Sequence, residues 1–263
     1  MSTHIVGNPD SSKPWLVLVH GMSQNHLVFD RQVDEFSSAY RILLIDLPGH
    51  GLASDHSGPF GHAEYADHVE NALNEHCIDR AHYWGTHTGT AAGLIIASTS
   101  PERFASLVLE GPVVPGENVP SVTAEITRAR KTASAENVSA AIDAWWSQAP
   151  WFDYMRAHPE VCRAREHKAI IDTFSGRPWV DSQTPAPVPD VVERLAGIQI
   201  PTLIYNGEFD HPEFIAEAFR LTELMMKAHR GTIPNSGGFP SWEQPDTTNA
   251  LVGEFLRKSA THK

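Results

Sequence analysis

The chain is short of several things that would assign it a class at once. It has only two cysteines in 263 residues, Cys77 and Cys162, far apart and with no C-x-x-C spacing. That reads as two free thiols in a reducing cytoplasm rather than as a disulfide framework. No apolar run approaches the ~20 residues of a membrane span, and Met1 to Pro14 carries no apolar core of the signal-peptide type. A cytoplasmic protein is therefore expected. Cations are scarce: 20 Lys and Arg stand against 32 Asp and Glu, for a formal net charge of −12. Phosphate binding needs clustered Lys and Arg, so nucleic acid is excluded as a partner, and an anionic membrane surface with it. The 15 histidines include no H-E-x-x-H or similar spacing, so neither a metal nor a cofactor is expected.

What is present reads as one large α/β domain. The runs Trp15 to Val19, Arg41 to Asp46, Arg80 to Trp84, Ser106 to Leu109 and Pro201 to Asn206 are short, apolar and bounded by turn signals, as strands buried on both faces of a parallel sheet are. Ala63 to His76 has helical spacing at Ala66, Val69 and Leu73. Strands alternating with helices predict a mostly parallel sheet with right-handed crossovers. Between Pro112 and about Leu195 the alternation stops. Thr123 to Thr132 and Val138 to Gln148 read as helices, aromatic residues gather, and prolines punctuate at Pro185, Pro187 and Pro189. The expected division is a core of residues 1–114 and 196–263 with a helical lid at 115–195.

Five short motifs carry chemistry. His20-Gly21-Met22 follows the first apolar run, and Asp46-Leu47-Pro48-Gly49-His50-Gly51 the second. Gly85-Thr86-His87-Thr88-Gly89 forms a sharp strand-to-helix turn whose glycines allow tight packing around a strained central residue. Gly207-Glu208-Phe209-Asp210-His211 and Ile233-Pro234-Asn235-Ser236-Gly237-Gly238-Phe239-Pro240 come late in the chain. In this order they resemble, over nearly the whole chain, the α/β-hydrolase superfamily, whose elbow, acid and histidine follow one another in that way. The resemblance implies an α/β-hydrolase fold, with a central sheet flanked by helices and an inserted helical lid. It also implies backbone oxyanion donors at Met22 and Thr88. His20, Gly21 and Gly51 read as holding turn geometry.

The chain departs from the family at two points: His87 stands where the resemblance implies a serine, and Gly238 where it implies the catalytic histidine. Asp210 matches the acid. One reading joins the changes. Gly238 leaves a gap, and the longer side chain of His87 reaches through it to hydrogen-bond Asp210, giving a general-base dyad. Such a base would activate water to hydrolyse an ester, lactone, amide or activated C–C bond. It could instead deprotonate a substrate, as the superfamily's cofactor-independent ring-cleaving dioxygenases, lyases and cyclases do. The third alternative is a catalytically silent fold that binds a ligand or partner. His26, Glu110 and His211 are further pocket candidates in case another group does the work, while Ser23 and Ser236 lack an elbow context. Trp145, Trp146, Trp151 and Phe152 of the lid predict a small apolar or aromatic substrate, bound between lid and strand ends. Nothing in the sequence sets the oligomeric state.

Overall fold

A computed structural model describes residues 3–10, 12–188 and 190–260; Met1, Pro189 and the last three residues, among others, lie outside the described part. The apolar runs become the middle of one seven-stranded sheet, ordered β1-β3-β2-β4-β5-β6-β7. Its strands are β1 (Thr3–Gly7), β2 (Trp15–Val19), β3 (Arg41–Ile45), β4 (Ala81–Thr86), β5 (Phe104–Glu110), β6 (Thr202–Gly207) and β7 (Ala228–Ile233). β1 runs antiparallel to β3, and every other neighbouring pair is parallel. All five residues of β2 are buried, because side chains that alternate across a strand are covered on both faces here. Leu16, Leu18, Trp84 and Val108 join the core on one face, and Val17, Val19, Tyr83 and Leu107 the core on the other.

The helices divide between these faces. α1 (Asp30–Phe36) and α12 (Pro245–Ala260) supply Phe36, Val252 and Leu256 to the first. α2 (His62–Glu75), α3 (Thr88–Thr99) and α10 (Pro212–Leu224) supply Leu73, Ile96 and Leu221 to the second. Between β5 and β6 the chain makes α4 (Pro120–Ala135), α5 (Val138–Gln148), α6 (Asp153–Ala157), α7 (Ala164–Ile171), α8 (Arg177–Val180) and α9 (Val191–Leu195), while the short α11 (Pro240–Glu243) precedes α12. Buried residues of α4, α5, α6, α7 and α8 join the first core, and α5 and α7 reach the turn after β2, where Trp145 Nε1 donates to Ser23 Oγ and His167 Nε2 lies 3.0 Å from Gln24 Nε2. α9 packs against α3 on the opposite face, through Val191 and Leu195. Both cysteines are free thiols. Among the described residues no helix is long and apolar enough to cross a membrane.

Neither edge strand announces itself as an apolar run. β1 and β7 have one covered face at most, and most of their residues are half-buried or exposed. The strand order reverses between β2 and β4, which places the turns after both strands side by side, the position where open α/β sheets bind ligands. The turn after β3 is tied to this end by Asp46. Its buried carboxylate accepts from His26 N at 2.7 Å, His26 Nδ1 at 2.8 Å and Leu52 N at 2.8 Å. Asp46→Ala leaves these donors without an acceptor and is expected to destabilise the fold by roughly 3 kcal/mol, at ~1–3 kcal/mol per buried orphan. Urea denaturation measures this, and a loss under about 1 kcal/mol would show that the turn holds itself.

Candidate functional site

His87 lies at the junction of β4 and α3 with φ 44° and ψ −109°, a conformation that costs a non-glycine residue on the order of 1–3 kcal/mol. The backbone of β4 and the first turn of α3 enforce it. His87 N donates to Glu110 O at 2.9 Å, and Thr90 N donates back to His87 O at 2.8 Å. A Cβ at Gly85 would lie 2.6 Å from the carbonyl carbon of Gly89, so the elbow closes only with glycine there. The imidazole lies close against Gly111, where a Cβ would come within 2.6 Å of its Cε1.

The expected hydrogen bond between His87 and Asp210 is not made. His87 Nε2 lies 2.7 Å from the carbonyl oxygen of Gly238. A carbonyl only accepts, so Nε2 carries the proton and Nδ1 holds the lone pair. Asp210 is held elsewhere, by Asn206 Nδ2 at 2.8 Å and His211 N at 2.7 Å. The gap attributed to Gly238 is filled as well. A Cβ there would lie 2.7 Å from the carbonyl oxygen of Trp151 and 3.1 Å from its Cβ, although Asp210 Oδ1 still faces it at 3.4 Å. The 3₁₀ turn Pro150–Phe152 thus sits where a side chain at position 238 would go. Gly238→Ala is expected to destabilise the protein by about 1–3 kcal/mol, read from chemical denaturation. Unchanged stability would mean that the Trp151 turn yields freely.

Burial governs the charge states. It pushes His87 down to about 4, against the smaller opposing effect of its bond to Gly238, so the ring is neutral near pH 7. It raises Asp210 to about 7, with the bonds from Asn206 and His211 opposing. Two more acids sit nearby. Glu110 accepts from the Tyr205 hydroxyl and from Ser241 N and Oγ, at 3.2 and 3.0 Å, and is raised to about 7 by burial. Glu243 accepts from Gly237 N and is raised to about 8, again chiefly by burial.

The other expected site residues divide clearly. Met22 and Thr88 meet beside the elbow, where Met22 N donates to Thr88 Oγ1 at 3.2 Å; one of the two N–H groups expected to face an oxyanion is therefore engaged by a neighbouring hydroxyl. His26 is turned onto Asp46, away from His87. His211 caps α10, accepting from Glu213 N at 3.4 Å. Glu110 meets His87 through its backbone, and its carboxyl serves Tyr205 and Ser241. Trp145 donates from Nε1 to Ser23 Oγ at 3.0 Å and packs on Trp151 at 5.0 Å. Phe152 stacks on Phe239 at 4.9 Å, and Trp146 packs on Phe152 at 5.0 Å. The expected open pocket between lid and strand ends is instead occupied by rings, with Phe214 and Phe239 both 4.9 Å from the His87 imidazole. Two surface hollows of about 700 and 450 Å³ lie elsewhere, the first around Arg80 and Arg194 at the opposite end of the strands, the second around Tyr154 and Phe209.

Sequence reasoning passed over His167, Gln24, Phe214 and Phe239. His167 is fully buried on α7, with Gln24 Nε2 at 3.0 Å and Phe239 at 4.9 Å. Phe239 was visible inside the late motif. His167 stood in a helix with no motif, and only the fold brings it here.

Three comparisons place this geometry among known proteins. Residues 14–189 match a family model described as the alpha/beta hydrolase fold. A 2-hydroxy-6-oxononadienedioate/2-hydroxy-6-oxononatrienedioate hydrolase of Burkholderia vietnamiensis is 28% identical over 255 residues, covering 92% of this chain and 87% of that protein. Carboxylesterase YbfK of Bacillus subtilis is 24% identical, covering 97% and 84%. The crystal structure of the enol-lactonase from Burkholderia xenovorans superposes with a TM-score of 0.81 at 21% identity, covering 97% of this chain and 95% of that one.

Proposed function

The chain belongs to the alpha/beta-hydrolase fold family, and from that premise we propose that it hydrolyses a small, neutral, apolar or aromatic carbonyl compound, with His87 as general base where the family's serine would attack. The substrate bond is an ester, lactone, amide or activated C–C bond. The observation that carries the proposal is the bond from His87 Nε2 to the Gly238 carbonyl. It holds the ring in one tautomer and leaves the Nδ1 lone pair as the base. In the reaction that nitrogen takes a proton from water as the water oxygen adds to the substrate carbonyl, and it returns the proton to the departing group as the intermediate collapses and the scissile bond breaks. The developing oxyanion is received by the N–H groups of Thr88 and Met22, Thr88 Oγ1 giving up its place to the substrate oxygen.

Charge narrows the substrate. The first relative is named for a dienedioate, a dianion. Here Glu110, Asp210 and Glu243 are buried around the site. Arg163, which stacks on Trp242 at 3.8 Å, is committed to Asp30 by hydrogen bonds of 2.7 and 3.2 Å. A dianion brought among buried acids without a counter-ion is strongly disfavoured, whereas a neutral carbonyl compound meets only rings and N–H donors. Because rings fill the space over His87, the insertion acts as a lid that must swing outward for substrate to enter.

The test is turnover of neutral aryl esters and lactones beside a 2-hydroxy-6-oxo-dienedioate, in H2¹⁸O and separately under ¹⁸O2. Neutral substrates should turn over and carry label from water into the acid product. Label from dioxygen would replace hydrolysis by oxygenation, with His87 deprotonating the substrate. A second reading, a silent ligand-binding fold, is favoured by the Met22 bond to Thr88 and the closely packed rings; tight binding of neutral aromatics without any turnover would establish it.

A further inference from the structure

His167 is a buried imidazole at the seam between insertion and body that the proposed chemistry leaves unused. It comes from α7 of the insertion, and packs at 5.0 Å from Trp242 and 4.9 Å from Phe239 of the body, with Phe152 of the insertion at 6.0 Å. Phe239 is shared, since the His87 ring lies at the same 4.9 Å from it. The two imidazoles therefore flank one phenyl ring.

The tautomer of His167 follows from a short relay that starts at the oxyanion turn. Gly21 N donates to Gln24 Oε1 at 3.1 Å, which fixes that amide with its oxygen towards the turn. Gln24 Nε2 is then the donor to His167 Nε2 at 3.0 Å, so the proton of His167 sits on Nδ1. Burial first, then the charge of Arg163 and the neighbouring His87 ring, push His167 down to about 3, so the ring stays neutral and Nδ1 stays a donor through the working pH range. That nitrogen is fully buried and has no hydrogen-bond partner among the described residues. Buried donors are almost always paired, and a neutral imidazole N–H in an apolar seam suits an uncharged oxygen better than a carboxylate.

We propose that His167 Nδ1–H is a positioning donor for a carbonyl or enol oxygen of the ligand that enters between insertion and body. This rests on the reading of the site as one for neutral carbonyl compounds. It adds a specificity element borne by the insertion: closing the lid delivers the donor together with the rings, so an aromatic ligand without an acceptor gains only the rings.

The probe pair is acetophenone and toluene, which have similar rings and differ in the acceptor. In the wild-type protein, acetophenone should shift the Nδ1–H resonance of His167 in imidazole-selective ¹H–¹⁵N spectra, and toluene should not. His167→Phe keeps a ring in the seam and should weaken acetophenone binding about tenfold, the scale of one buried hydrogen bond, while toluene changes less than twofold. His167→Asn, which retains an N–H donor, should recover part of the loss. A resonance indifferent to acetophenone, or equal weakening for both probes, overturns the proposal; the spectra decide it even where His167→Phe does not fold. Binding is read without turnover, so the two readings fail separately. A protein that hydrolyses nothing yet shows the shift keeps the donor and loses the hydrolase. One that hydrolyses neutral esters with no shift keeps the hydrolase and loses the donor.

Discussion

His87→Gln is expected to lower kcat by roughly 10²–10⁴, the span that general-base catalysis supplies, while the protein remains folded. Glutamine keeps an amide N–H for the Gly238 carbonyl and fills much of the space between Phe214 and Phe239, but it has no basic lone pair. The loss should fall on kcat more than on KM, because the base acts on water and not on the bound ground state. The pH profile gives a second reading of the same group. His87 must be unprotonated to act, and burial holds it at about 4. Activity should therefore persist through pH 5 and fall only as the pH drops towards 4, where an unperturbed imidazole would fail near 6.5. Asp210→Asn should leave that acid limb in place, since Asp210 makes no bond to the ring. A limb near 6.5 that moves in Asp210→Asn would restore the direct His–Asp pair. Turnover by His87→Gln within a few fold of wild type would remove His87 from the mechanism.

The second large effect is on stability. Glu110 and Asp210, raised to about 7, and Glu243, raised to about 8, hold protons in the fold that the unfolded chain has already released. Their contribution is whole below the unfolded values near 4 and is lost as pH rises through 7 and 8. The imidazoles that burial depresses, His20, His50, His62, His68, His82, His87 and His167, act in the opposite sense. Their folded values are depressed, so the unfolded chain binds the extra protons below 6.5, and stability rises with pH up to that point. These imidazoles outnumber the acids below 6.5 and go on losing protons from the unfolded chain for about a unit above it, which puts the maximum of stability near pH 7. From there to pH 8.5 the three acids should outweigh the imidazoles by roughly 1 kcal/mol, or ~3 °C in Tm for a chain of this size. Thermal melts between pH 5.5 and 8.5 measure it. Glu243→Gln keeps an acceptor for Gly237 N and should flatten the alkaline limb. A Tm that climbs from pH 7 to 8.5, or an alkaline limb unchanged in Glu243→Gln, would mean that these carboxyls are ionised in the fold.

The lid-borne part of the site was the least legible in the sequence. The elbow could be read because strand, glycine spacing and helix lie within a dozen residues, and each has a local physical cause. The late loop was legible as a motif, but its partner was not. Whether residue 87 meets the acid at 210 or the carbonyl at 238 turns on where the Trp151 turn lies, and that turn is fixed by contacts some sixty to ninety residues away. His26 and His211 looked like pocket residues from their neighbours in the chain, yet one is turned onto Asp46 and the other caps a helix.

By itself the sequence determined the class of fold, the positions of the central strands along the chain, the strained histidine at the elbow and the absence of a serine there. These follow from periodicity and from glycine positions, which act over a few residues. Only the tertiary structure decided the tautomer of His87, the closure of the space beside Gly238 and the arrival of His167. Each of these depends on which distant side chains fill one small volume, and close packing allows a single occupant in each part of it.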